Sequence, residues 1–200
     1  MATNYGTAPV VTDGLVLCLD AANLKSYPGS GTAWNDISGN NFNFTIDDTG
    51  LTHNSGGWFD MAGGGATRSG AVTANTTCTV VYWMRTNDSS ALFLSGPATN
   101  GNYLGAYSSA NKFYSGGFGS PSLFKNGSSI ANLYDNIRTD EWMMIEFKSA
   151  DMQNITNLHF NQYSGYTFTT GDIAVIKIYD RNLTTEESLQ NYNALKGRFE

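Results

Sequence analysis

The sequence predicts an all-β protein, a β-sandwich or barrel with one short C-terminal α-helix. Three observations predict it. Short apolar or alternating runs recur along the 200 residues, separated by clusters of Gly, Asn, Asp and Ser. Charged residues supply only 14% of the chain, so the polar surface falls to Asn, Ser, Thr and 22 glycines, which suit turns better than helix surfaces. A single segment, at the end, carries the start and stop signals of a helix. With 40% hydrophobic and 13% aromatic residues, the chain can fill one sizeable core. We expect an N-terminal arm over residues 1–12 and a single domain over 13–200.

The expected strands follow in order. GLVLCLD (14–20) is nearly continuous in its apolar character. NFTI (43–46) and GWFDM (57–61) are short and follow turn-rich stretches. TTCTVVYWMR (76–85) is apolar on both faces, as in a central strand covered on both sides. ALFLS (91–95), NYLGAY (102–107) and KFYS (112–115) come next. In EWMMIEFKS (141–149), Met143, Ile145 and Phe147 share one face, and Trp142, Met144, Glu146 and Lys148 the other. TNLHFNQ (156–162) precedes DIAVIKIYD (172–180). There, strict alternation sets Ala174, Ile176 and Ile178 against Ile173, Val175, Lys177 and Tyr179. The helix lies in RNLTTEESLQNYNALKG: Thr184 and Glu187 fit a capping box, and Leu189, Tyr192 and Leu195 form an apolar stripe. Gly197 stands where a terminator belongs.

The formal net charge is −6, and the 11 basic residues are scattered singly. Binding a phosphate backbone needs a basic face, so we expect no nucleic-acid partner and no anionic membrane partner. The opening MATNYGTAPVVTDG has neither the basic nor the apolar region of a signal peptide. No apolar run reaches membrane-spanning length. A protein made in the cytosol is expected, including one built into a particle there. Cys18 and Cys78 fall in strands and read as free, buried thiols; a disulfide is the other reading, since sequence does not place their Cα atoms. Six Asn-x-Ser/Thr triplets, at Asn43, Asn75, Asn87, Asn126, Asn154 and Asn182, follow from composition and carry no glycosylation meaning.

The stretch GLVLCLDAANLKSYPGSGTAWNDISGNN resembles the first strand and loop of laminin-G-like, concanavalin A-like lectin/glucanase domains. The version it resembles is common in virion proteins of tailed bacteriophages, especially large myoviruses such as cyanophages. GDIAVIKIYDRNLTTEESLQNYNALKGRF is similar to the last strand and terminal helix of the same domains. TTCTVVYWMR resembles the strand with the core tryptophan, and DEWMMIEFKSADMQNITNLHFN the later tryptophan-led strand pair. The likeness spans residues 13 to 199, with 86–140 departing most. It implies an antiparallel β-sandwich of the jelly-roll type, in which the polar stretch after the first strand is an ordered loop closing one end. Trp34 then plugs that loop onto the sandwich; the alternative is a ligand-stacking platform.

This superfamily includes glycoside hydrolases whose carboxylates come from one strand as Glu-x-Asp-x-x-Glu, and that pattern is missing. Asp140 and Glu146 have even spacing, but six strand residues separate them by roughly 20 Å. Retaining hydrolysis needs carboxyl groups about 5–5.5 Å apart. Glu146 with Lys148 reads as a solvent-side ion pair. His53 and His159 are not accompanied by a nucleophile elbow, and His159 reads as a packed or surface residue. A Cys/His cluster for zinc is missing. Gly63-Gly64-Gly65 reads as a flexible turn rather than a phosphate loop. We therefore expect no enzyme and no cofactor. The one metal the residues suggest is calcium, through Asp36, Ser38 and Asn40 with Asp47 and Asp48 following, although the same residues make an ordinary Asx turn. Candidate ligand- or partner-contact residues are Trp34, Tyr103, Tyr107, Tyr114 and Phe118, set among Gly, Ser and Asn. The resemblance implies a structural protein of a tailed-phage virion, a head decoration or capsid-exterior subunit. It would dock by protein–protein contacts as a homo-oligomer on the particle. The alternative is a carbohydrate-binding adhesin or the receptor-binding tip of a tail fibre, with a glycan as ligand.

Overall fold

The structure is a computed structural model that describes residues 8–46, 50–88, 91–96, 103–107, 112–163, 166–167 and 170–200. The chain enters through β1 (Leu15–Asp20), β2 (Ala33–Trp34), β3 (Phe44–Ile46), β4 (Leu51–Asn54), β5 (Trp58–Met61) and β6 (Ala66–Ser69). The long β7 (Cys78–Arg85) leads to β8 (Ala91–Ser95), β9 (Tyr103–Tyr107), β10 (Lys112–Gly116), β11 (Ser122–Lys125) and β12 (Ser128–Ile130). A helical turn, α1 (Tyr134–Ile137), precedes β13 (Met143–Ala150), β14 (Asn157–Phe160), β15 (Gln162–Tyr163), β16 (Tyr166–Thr167) and β17 (Asp172–Tyr179). Helix α2 (Thr185–Leu195) and a 3-10 turn over Lys196–Arg198 close the chain.

Two antiparallel sheets face each other, as an all-β sandwich requires. One has the order β12-β11-β13-β7-β17-β5-β4, with β1 also paired to β17; the other runs β10-β9-β8-β14-β6-β3-β2. Strand β17 shares one edge between two partners: β5 pairs with Asp172 and Ile173, and β1 pairs with Val175 to Tyr179. The strands read from the sequence are all present. Those not read, β2, β4, β6, β11, β12 and β16, are two to four residues long and mostly polar, too short to show a period.

Between the sheets lies a core of buried rings and aliphatic chains, including Leu17, Trp34, Phe59, Tyr82, Phe93, Phe147 and Phe160. Met143, Ile145 and Phe147 face it together, as alternation predicts. β17 departs from alternation. A bulge between Ile173 and Val175 shifts the register, so Ile173 joins Ile176 and Ile178 inside, while Ala174 faces outward with Val175 and Tyr179. An extra residue on one strand reverses the parity of everything beyond it.

The outward face of the first sheet is covered as well. Val81, Trp83, Met144, Val175 and Tyr179 form a second apolar cluster closed by Tyr192 and Leu195 of α2, Leu183 and Phe199. The capping box holds: Glu187 N–H donates to Thr184 Oγ1 (3.2 Å) and Thr184 N–H to Glu187 Oε2 (2.8 Å). The stripe is rotated, however. Leu189 is 48% exposed, and Ser188 and Asn191 are buried instead. Asn191 is spent on anchoring: its Oδ1 accepts from Val11 N–H (2.8 Å), and its Nδ2 donates to Tyr179 Oη (3.1 Å). Gly197 does not end the helix in a left-handed conformation; it lies inside the 3-10 turn. From residue 8 on, the expected arm lies against the body, with Val11 in the second cluster and Pro9 O accepting from Gln190 Nε2 (2.6 Å).

The Gly63–Gly65 stretch is a close backbone crossing rather than a flexible turn. A Cβ on Gly64 would stand 2.1 Å from Leu51 N, and Asn161 Nδ2 donates to the Gly64 carbonyl (2.8 Å).

Candidate functional site

The polar stretch after β1 is an ordered loop. Ser26 is fully buried; its hydroxyl accepts from Asp20 N–H (3.0 Å) and donates to Asn35 O (2.6 Å). Tyr27 packs against His53 and Phe59, each with ring centroids 4.8 Å away. Trp34 has no solvent exposure and meets Phe59 edge-on at 4.8 Å, so it is the plug and not a ligand platform.

Asp36 ties that loop to β1. Oδ1 accepts from Cys18 N–H (2.9 Å) and Ser38 N–H (2.8 Å), and Oδ2 accepts from Phe42 N–H (3.0 Å) with Ser38 Oγ at 2.8 Å. Ser38 Oγ and Asn40 Nδ2 lie 3.0 and 3.1 Å from Val16 O. The carboxylate is thus already saturated by donors, and a hard cation would have to displace them. Among the described residues, no three His, Cys, Asp or Glu side chains converge on a point. The Asx turn therefore explains Asp36, Ser38 and Asn40; Asp47 and Asp48 lie outside the described residues.

Glu146 and Lys148 do not form the expected solvent-side ion pair. They sit on the outward face of β13, but α2 seals them: Glu146 is fully buried and Lys148 is 6% exposed. Lys148 Nζ donates to Thr184 O (3.2 Å) and lies 4.0 Å from the Phe124 ring centroid. Neither Glu146 oxygen completes a hydrogen bond, nor does the Ser188 hydroxyl above it. Burial drives the Glu146 carboxyl above its ordinary range, moderated by Lys148 and Ser188. Burial lowers Lys148, opposed by Glu146. Asp140 lies in a turn with φ 51° and is exposed, so it shares no cleft with Glu146. Both cysteines are free and buried. Desolvation pushes Cys18 to about 11 and Cys78 to about 12, which removes them as nucleophiles.

The remaining candidates divide. Phe118 has no exposure and belongs to the inter-sheet core, because the Gly-rich turn after β10 folds it inward. Tyr107 ends β9, but its side chain lies outside the described residues. Tyr103 and Tyr114 meet on the outward face of the second sheet, with ring centroids 5.7 Å apart and planes at 32°. Tyr114 is 37% exposed.

Register extends this pair into a row. Thr45 pairs with Thr67, Thr67 with His159, His159 with Ser95, and Ser95 with Tyr103. The neighbouring Phe44, Ala66, Phe160 and Leu104 face the core, so the row lies on the opposite face. Sequence reading found the tyrosines but not the row, because β6 is too short to show its pairing. Ser95 is fully buried within the row, while Thr45, Thr67, His159 and the two tyrosine rings are at least partly exposed and can hydrogen-bond and stack against a ligand. As described, this row contains no carboxyl pair of the kind glycoside cleavage uses.

No protein-family model matches the chain, and no curated protein sequence matches it. Solved structures do. Trypanosoma rangeli sialidase in complex with the inhibitor DANA aligns with TM-score 0.58 and 16% identity, over 98% of this chain and 36% of the sialidase. The binding domain of Paraclostridial Mosquitocidal Protein 1 aligns with TM-score 0.59 and 14% identity, over 92% of this chain and 52% of that one. The ligand binding domain of botulinum neurotoxin serotype D, in complex with N-acetylneuraminic acid, gives 0.52 and 13%, over 91% and 51%. The chain thus spans about a third to a half of the proteins it resembles. At these identities the shared property is the β-sandwich fold.

Proposed function

We propose that this chain is a non-enzymatic recognition domain on the exterior of a tailed-phage particle, and that it holds a glycan across the open face of its second sheet. The observation that carries the glycan reading is the Tyr103–Tyr114 pair beside the hydroxyl and imidazole row. A sugar offers C–H faces to stack on such rings and hydroxyls to pair with such a row. The solved structures in complex with DANA and with N-acetylneuraminic acid support a saccharide as ligand class. The phage assignment rests on the resemblance at the two chain ends. The test is a glycan array with the wild-type chain and a Tyr103→Ala/Tyr114→Ala variant. Binding by the first and not the second is expected; equal binding by both, or none by the wild type, ends the glycan reading.

A second reading, a capsid-exterior decoration subunit docking through protein contacts as a homo-oligomer, is favoured by the docked segment before β1. There Pro9 and Val11 hydrogen-bond to α2 and β17. Mass spectrometry of purified particles separates the two. Hundreds of copies per particle fit decoration, and a few copies fit an adhesin or fibre tip.

A further inference from the structure

Three of the arginines on this acidic chain hold a carboxylate: Arg85 pairs with Asp172, Arg181 with Asp13 and Glu187, and Arg198 with Asp20. Arg68 holds none. It stands near the end of β6, opposite Leu158 and on the same face as Ala66, both of them core residues. Its stem therefore starts inside the sandwich, and its guanidinium lies over the Phe42 ring, 4.5 Å from the centroid. Nε is sealed from solvent without a hydrogen-bond partner, whereas the two Nη atoms are not sealed. Neither Nη makes a hydrogen bond or ion pair among the described residues. Arg68 feels the charge of Asp36, but that carboxylate is saturated by donors from Cys18, Ser38 and Phe42, and no bond joins the two. Burial lowers the Arg68 pKa and Asp36 opposes the shift; a guanidinium stays charged through such changes. Gly70 lies alongside and brings no side chain to cover Nη2: a Cβ there would stand 3.7 Å from it. Asn157 holds Gly70 in place, its Oδ1 accepting from Gly70 N–H (3.1 Å).

A half-buried cation with no counter-ion is costly unless something completes its hydrogen bonds. Phe42 attracts one face of the guanidinium plane, but it offers nothing to the N–H groups that point along that plane. Two Nη groups presented end-on match the two oxygens of one planar carboxylate. We propose that Arg68 anchors an anion site beside Phe42 and Gly70, and that its ligand is a monocarboxylate gripped end-on by Nη1 and Nη2. Charge chooses the valence. One guanidinium neutralises one carboxylate, whereas a dianionic phosphate leaves excess negative charge near Asp36 on a chain of net charge −6. The site lies on the core side of β6, across the sheet from the tyrosine row, and does not depend on it.

Proton–nitrogen NMR spectra of the whole chain test this directly, because a sealed Nε–H exchanges slowly with water and is readable. Glucuronate, acetate, inorganic phosphate and glucose are titrated at fixed ionic strength, with Arg68 Nε–H and Gly70 N–H as reporters. Both carboxylates are expected to shift the two signals to saturation, and phosphate and glucose to leave them in place. Glucuronate saturating at a lower concentration than acetate assigns the carboxylate to a sugar acid; acetate saturating at the same or a lower concentration assigns it to a simple acid. The Nε–H signals of Arg85, Arg181 and Arg198, whose carboxylates are already in place, should shift less. Arg68→Lys keeps the charge and loses the fork, and should raise the half-saturation point of the Gly70 shift about tenfold. Arg68→Gln should abolish that shift. Melting curves check both variants for folding, and if neither folds the wild-type titration decides alone. Tyr103→Ala/Tyr114→Ala should bind as the wild type does. The proposal is overturned by no saturable shift from either carboxylate, by phosphate or glucose shifting the signals as much, by either Arg68 variant matching the wild type, or by loss in the tyrosine variant.

Discussion

The two sheets treat their outward faces in opposite ways. On the first sheet that face is apolar enough to need a cover, and α2 with Phe199 supplies it, closing over Val81, Trp83, Met144, Val175 and Tyr179. On the second sheet the corresponding row is Thr45, Thr67, His159, Ser95 and Tyr103, with Tyr114 beside it, and α2 lies on the other side of the molecule. Covering a face buys stability and permits charged groups to be trapped, as Glu146 and Lys148 are. Leaving a face open sacrifices burial and keeps side chains available to a partner. The covered face is the structural half of the molecule, and the open face leaves Thr45, Thr67, His159, Tyr103 and Tyr114 at least partly exposed.

The sharpest way to break this contrast is to remove the cover. A chain ending at Asp180 loses α2 and exposes the second cluster, and it should lose cooperative thermal unfolding altogether, seen by calorimetry. Trp83→Ala keeps the helix but removes the ring between Tyr192 and Phe199, and should cost about 3–5 kcal/mol in a denaturant titration. The matching change on the open face, Tyr114→Ala, should cost less than about 1 kcal/mol. Equal losses at the two positions would mean that the open face is covered after all.

Smaller effects test how the cover is held. Thr184→Ala breaks the capping box and should cost about 1 kcal/mol. Glu146→Gln should stabilise the protein at neutral pH, on the order of 1 kcal/mol, by replacing a buried carboxylate that has no hydrogen-bond partner. The sign follows from the raised folded-state pKa: the unprotonated form is disfavoured in the fold, so the contribution is best below the unfolded pKa and is lost as pH rises through the folded one. Glu187 runs the other way. Hydrogen bonding and charge from Arg181 hold it at about 2, so its contribution is present above the unfolded pKa and fades as pH falls toward 2. Melting temperature should therefore decline less in Glu146→Gln than in the wild type as pH rises above the ordinary carboxyl range, and Glu187→Gln should melt lower at neutral pH but lose less on acidification, the two curves converging toward pH 2. The smallest effect is a negative one: a thiol reagent should label neither Cys18 nor Cys78 in the folded protein, and both after denaturation.

The long strands and the helix cap were legible in the sequence, because β7, β13 and β17 carry enough residues to show a continuous or alternating apolar pattern and the Thr184–Glu187 box is local chemistry. For β7 alone, apolar character on both faces announced a strand covered on both sides. What covers it was only partly legible: α2 was found, but its buried face was misplaced by one residue, since Asn191 turns inward to bond Val11 and Tyr179. The Glu146–Lys148 pair looked like solvent-side chemistry because alternation reports a face and not what lies above it. Phe118 looked available because a turn's composition does not say which way it folds.

By itself, the sequence determined the class of fold, the central strands, the capped helix and the ordered loop plugged by Trp34. These depend on residue spacing and on contacts between near neighbours. Tertiary structure alone decided the parity of β17 beyond its bulge, the burial of Glu146, and the meeting of Trp58, Arg85 and Trp142 from three separate strands and their ends. Those features arise from cross-strand register, and register is settled by how whole faces pack, not by any residue's sequence neighbours.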